Sequence, residues 1–217
     1  MNRQGIWLGV AAFLLLSVST ISAQGQKKPP KPKRKIHRLK KYGQLKARDF
    51  RGRPPEGKSI LSSLDAVSYT QLVYTYDYKA FLRNGRWTIR VTKLKATAMF
   101  DRAKSWNQLP KNLRLLRHEQ GHFDLTQAHA LKSAVENTRK IKRRPIVTYG
   151  RSKSAALKRA KLRVDILVKP YLDVLPKLHK EYDRITAHGT KAQEQLQAQR
   201  EHATQLRDYS KGGKKTR

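Results

Sequence analysis

Apolar and polar positions along the chain follow one period early and another late. From Ala66 to Lys79 the sequence is dense in valine, tyrosine and threonine. From Trp87 to Phe100 apolar side chains alternate with polar ones through Trp87, Ile89 and Val91, then resume at Leu94. Asn84-Gly85 stands between the two runs. An Asn-Gly pair between such segments is the strongest short-range hairpin signal, because a tight turn there needs positive φ at both positions. The pattern predicts two long antiparallel strands. Arg86, Arg90, Lys93 and Lys95 mark a face left in water, and the tyrosine stripe reads as a half-buried sheet face.

The period then becomes helical. A first helix is expected over about 110–138, with Pro110 in its first turn. Leu113, Leu116, Phe123, Ala128, Leu131, Ala134 and Val135 form its core-facing stripe. Lys140 to Gly150 reads as a loop. A second helix is expected over about 152–184, kinked or split at Pro170 and Pro176. Its apolar positions include Leu157, Leu162, Val164, Ile166, Leu167, Tyr171, Leu175 and Leu178. Gly189 ends it or starts a turn, and a glutamine-rich third helix covers about 190–208. The fold class is α+β: a small antiparallel sheet, in essence one long β-hairpin, packed on the first helix, then a long kinked helix and a C-terminal helix.

Composition changes the picture at the ends. Residues 1–23 read as a signal peptide, with Arg3 as the positive n-region, Ile6 to Leu16 as the apolar stretch and Ser22-Ala23 before the cut. That run is too short to span a bilayer. The mature protein is expected to be exported, periplasmic or secreted, with no membrane span. The formal net charge is +34, and Gln26 to Arg48 holds eleven Lys/Arg, three prolines and no acid. Residues 24–44 and 209–217 read as basic disordered tails around a folded domain at 45–208. Such arms attract polyanions, nucleic acid or acidic envelope polymer. No sequence-specific nucleic-acid module is recognisable. The absence of cysteine excludes disulfides and thiolate metal ligation. Any metal must be held by His, Asp or Glu.

The strongest chemical signal is His118-Glu119-Gln120-Gly121-His122, a His-Glu-x-x-His pattern inside the first helix. A helix turns about 100° and rises about 1.5 Å per residue, so His118 and His122 share one side with Glu119 beside them. Two imidazoles one turn apart can converge on one zinc ion, with Glu119 placed as general base toward a water. A third protein ligand is still needed. His129 lies about 10 Å further along the axis than His122 and reads as a satisfied polar residue. The better candidates lie in His179-Lys180-Glu181-Tyr182-Asp183-Arg184-Ile185-Thr186-Ala187-His188-Gly189. His188, beside flexible Gly189, ranks first. Asp183 follows, as a ligand or as a carboxylate orienting a histidine, and Glu181 comes last because it points away from Asp183 on a helix. Tyr182 is a candidate donor to a developing oxyanion, with Arg117 as a weaker one. Asp124 falls on the far side of the helix and reads as structural. Asp49 reads as a cap or turn residue and Phe50 as a core anchor.

The segments Asp49-Phe50-Arg51-Gly52, Ser105-Trp106, Leu115 to Asp124 and Tyr182-Asp183-x-x-Thr186-x-His188-Gly189 resemble a bacterial family of exported proteins of unassigned activity, grouped with secreted zinc-dependent proteases. The resemblance spans roughly residues 45–206. Ala47 departs from it, since a tryptophan is expected there, and the basic arms lie outside it. It implies a zincin-like fold with a small sheet on the motif helix, zinc (Zn2+) as cofactor, and Asp183 and His188 over Glu181 at the metal. The function expected is a secreted zinc metallopeptidase acting on peptide or protein substrates. The alternatives are a cell-wall peptide amidase, or an exported polyanion-binding protein whose metal site is structural or inactive.

Overall fold

The computed structural model describes residues 38–56 and 64–212. In chain order the elements are β1 (Leu39–Lys41), β2 (Ala66–Val67), β3 (Thr70–Arg83), β4 (Arg86–Asp101), β5 (Trp106–Asn107), α1 (Leu113–Arg143), β6 (Val147–Gly150), α2 (Lys153–Thr186) and α3 (Ala192–Ser210). The fold is α+β, as the periodicity implies. The signal peptide and most of the N-terminal tail fall outside the described residues, as do 213–217.

β3 and β4 are the expected hairpin, paired antiparallel from Thr70↔Phe100 to Arg83↔Arg86 with one register shift at Asp77/Tyr78. Asn84 and Gly85 turn the chain with φ of 50° and 69°, the left-handed pair this tight turn demands. The first strand begins at Thr70 rather than Ala66, because Ala66–Val67 leaves the hairpin to pair with Trp106–Asn107. Tyr74, Tyr76 and Tyr78 are half-buried against the main core.

Two further short strands that were not foreseen lie on the other edge of β4. β1 pairs with its end, Leu39↔Asp101 to Lys41↔Met99, so the folded unit starts inside the stretch read as a tail. Buried acids explain this. The Arg38 guanidinium donates to both Asp101 carboxylate oxygens at 2.7–3.0 Å. Lys40 pairs with Asp49, which is buried and also accepts from the Lys46 amide (2.9 Å) and Arg102 (2.8 Å). Burial alone would raise the Asp49 pKa; the Lys40 and Lys46 hydrogen bonds and the Lys40 and Arg102 charges hold it below its ordinary value.

β6 pairs with β4 from Trp87↔Gly150 to Arg90↔Val147, in the segment expected to be a loop. α1 also runs past its expected end to Arg143, because buried Ile141 continues its apolar face. Lys140, Lys142 and Arg143 fill its last turn, where cations suit the helix dipole. Between β1 and β6 the β4 edge meets α1 side chains. Leu94 exchanges two hydrogen bonds with the Thr138 hydroxyl (3.1 and 3.2 Å), and the Ala98 amide donates to the Gln127 carbonyl oxygen (2.7 Å).

α1 starts three residues beyond Pro110, capped by Asn112, whose side chain accepts from the Leu115 amide at 3.1 Å. The hairpin, α2 and α3 all pack on it. The single core-facing stripe is therefore too narrow a reading. Leu113 is 63% exposed, while Leu125, Thr126, Gln127, Ser133 and Asn137 are buried. α2 is one helix through Pro170 and Pro176, both on its exposed side. Leu162 and Ile166 are exposed, and Val164, Val168, Tyr171 and Leu175 carry its buried face. Among the described residues, no helix is long and apolar enough to cross a membrane.

Candidate metal centre

α1 and α2 run antiparallel where they meet. His118 faces Thr186, His122 faces His179, and His129 faces Tyr171, so positions rise along one helix as they fall along the other. Each helix presents an i, i+4 pair to the gap: His118 and His122 from α1, His179 and Asp183 from α2.

Asp183 lies between the two imidazoles. Its Oδ1 is 3.1 Å from His118 Nε2 and 2.9 Å from His122 Nε2. The potential ligand atoms of His118, His122 and Asp183 all lie within 4.8 Å of one another. Two imidazoles and a carboxylate make a three-ligand set that leaves a position open for substrate or water. Glu119 is buried, and its Oε2 has no hydrogen-bond partner. A buried carboxylate oxygen without a partner is costly unless the site is built to engage it with a further group. The donor set and this oxygen both fit a metal centre.

The geometry favours Asp183 over His188, the reverse of the order expected. His188 is not part of the converging group. Its side chain is 53% exposed, with Nδ1 3.5 Å from Asp183 Oδ1. The cause is the end of α2. Ala187, His188 and Gly189 take φ of 45°, 53° and 81°, three successive left-handed residues, and the His188 amide donates back to the Asp183 carbonyl at 3.1 Å. Asp183, still on the last helical turn, points at the imidazoles, and His188 lies past the cap. Gly189 is pressed on His118: a Cβ there would be 2.8 Å from His118 Cβ, at a φ few other residues adopt. Glu181 is exposed and pairs with Arg184 at 2.6 Å, so it is no ligand.

Tyr182 does not sit as an oxyanion donor. It is 2% exposed, and its hydroxyl donates to the His118 carbonyl at 3.3 Å. Its ring packs on His118 and edge-on to His122. Arg117 is exposed, and nothing places its guanidinium at the imidazole group. Asp124 is structural, as expected: it accepts from Tyr42 (2.9 Å) and Gln120 (2.6 Å), tying the segment after β1 to α1. His129 is a satisfied polar residue, with Nε2 2.9 Å from the Tyr171 carbonyl oxygen. Phe50 packs against Phe100 in the second core cluster, as expected of an anchor.

Burial lowers the His118 pKa, only partly offset by its hydrogen bond to Asp183. Burial acts the same way on His122, but there the Asp183 hydrogen bond and charge, with Glu119, carry the pKa above its ordinary value. Burial raises the Asp183 pKa, and hydrogen bonds from both histidines more than reverse this, so it stays ionised. His179 is pushed down to about 3, first by burial and then by His122. The sequence pattern alone does not single out His179. Its spacing of four from Asp183, the same as His118 to His122, was the signal available.

No family model, curated protein or solved structure significantly matches the chain.

Proposed function

We propose that this chain is an exported zinc-dependent peptidase. The observation that carries the reading is the convergence of His118, His122 and Asp183 beside buried Glu119. His118, His122 and Asp183 would hold the ion, the two imidazole Nε2 atoms and the carboxylate Oδ1 facing one another. Bound there, zinc supplies Lewis acidity, polarising a carbonyl and making water easier to deprotonate. Glu119 takes the proton of the attacking water and returns it to the leaving amine. Burial of His118, Glu119 and His122 keeps competing water away from this proton path.

The test is Glu119→Gln in purified protein, with metal content measured beside hydrolysis of a broad peptide library that includes cell-wall peptides. Retained zinc with at least a hundredfold loss of cleavage supports the reading. Wild type and variant equally inert, both carrying zinc, sinks it. Cleavage confined to cell-wall peptides gives the amidase form of the same chemistry.

The formal charge of +34 favours polyanion binding as a second property. Deleting residues 24–37, and not 24–48, tests it, because the longer cut removes β1 and Leu45 from the fold. Unchanged binding to DNA and to acidic polymer after the shorter cut excludes the arm.

A further inference from the structure

We infer that His179 is a positioning residue for His122: it accepts the His122 Nδ1–H and so keeps the Nε2 lone pair directed at the ion. This rests on the metal-centre reading above. The two Nδ1 atoms are 2.9 Å apart, so one must donate to the other. His122 Nε2 faces Asp183. Without an ion, the 2.9 Å contact of His122 Nε2 with Asp183 Oδ1 is a hydrogen bond from Nε2. An ion held at Nε2 takes that hydrogen's place, and the neutral ring then carries its hydrogen on Nδ1, facing His179.

The surrounding atoms complete this ion-bound arrangement. His179 then carries its hydrogen on Nε2 and donates to the Thr126 hydroxyl at 3.1 Å. Thr126 donates to the His122 carbonyl at 2.9 Å. Thr70, reaching in from β3, donates to Thr126 at 2.7 Å. Each hydroxyl gives one hydrogen and no acceptor is overfilled. The chain of bonds leaves His122 at its ring and returns to it at its backbone. It also couples sheet, α1 and α2 at one ligand. Partners behind a ligating imidazole fix its tautomer and orientation, and their loss weakens metal affinity about 10–100-fold.

The experiment measures zinc dissociation constants by chelator competition for wild type, His122→Ala, His179→Leu and His179→Asn. Nitrogen-15 chemical shifts of His122 in the zinc-loaded protein are recorded alongside. Asparagine places Oδ1 where the histidine carries Nδ1, and leucine fills space without accepting. The expected result is about 10–100-fold weaker binding for His179→Leu, recovery to within a few-fold for His179→Asn, and a His122 signal protonated at Nδ1 in wild type. Leucine binding as tightly as wild type overturns the inference while leaving the metal centre intact. Asparagine as weak as leucine, with both folded by circular dichroism, assigns His179 to packing and also overturns it. Wild-type binding that does not depend on His122 overturns the metal centre itself and this inference with it.

Discussion

The Tyr182 ring lies parallel to the His118 imidazole, with 10° between the planes and 4.9 Å between the centroids. Its hydroxyl passes over Gly121 to reach the His118 carbonyl. A Cβ at position 121 would be 2.0 Å from that hydroxyl oxygen. α2 thus approaches α1 through a gap only glycine leaves. Gly121→Ala is expected to lower stability in denaturant titration by about 1–3 kcal/mol, although alanine is intrinsically the better helix former by about 1 kcal/mol. Tyr182→Leu added to it should recover part of the loss. A Gly121→Ala protein as stable as wild type would refute the close approach.

Asp183, not His188, is expected to decide metal retention. Asp183→Ala should weaken zinc binding at least about a hundredfold, as loss of a ligand exceeds the 10–100-fold range typical of a supporting partner. His188→Ala should stay within about tenfold. Calorimetric titration of both variants checks this, and equal losses would restore His188 as a ligand.

An ion held by His118, His122 and Asp183 joins two helices distant in sequence. At a hundred times its dissociation constant it should add about 2.7 kcal/mol to stability. For a chain of this size that is roughly a 5–10 °C rise in melting temperature. Scanning calorimetry with zinc and with chelator measures it, and Asp183→Ala should show no rise.

Without metal, acid should destabilise the protein from about pH 6.5 downward. His179 and His202 have folded pKa values of about 3 and 4, with burial the main cause in each. Below about pH 6.5 the unfolded chain protonates these histidines while the folded one does not, so stability falls as pH falls. His118 and His129 act in the same direction. His122, with a raised pKa, acts in the opposite one. Each neutral buried histidine contributes up to about 1.4 kcal/mol per pH unit. Urea unfolding of chelated protein between pH 7.5 and 4.5 should show the slope, and His202→Gln should reduce it. A flat profile would contradict the buried neutral rings.

What could be read before folding was local. Asn84-Gly85 announces its own turn, because the φ it needs is a property of those two residues. His118 and His122 face one way because a helix puts every fourth residue on one side. Which of Asp183 and His188 faces the imidazoles depends instead on where α2 stops, because the two straddle a left-handed cap. β1 and β6 were illegible for another reason. Leu39–Lys41 is short and basic, with little strand character alone; Val147-Thr148-Tyr149 is β-branched and aromatic, but the run is brief and follows the Lys140–Pro145 basic stretch, and both segments pair because β4 offers an edge.

The plugging of that edge also bears on how copies of the chain meet one another. A hairpin standing alone has two borders on which a foreign strand can template itself. On β4, short strands hold the ends, and Thr138 and Gln127 engage Leu94 and Ala98 between them. Among the described residues, β3's outer border pairs with no strand, and it is interrupted by the irregularity at Asp77/Tyr78 and studded with Lys79 and Arg83. A molecule built this way leaves one sheet border unpaired rather than two, so strand addition between copies has one place to start and no second edge from which to continue.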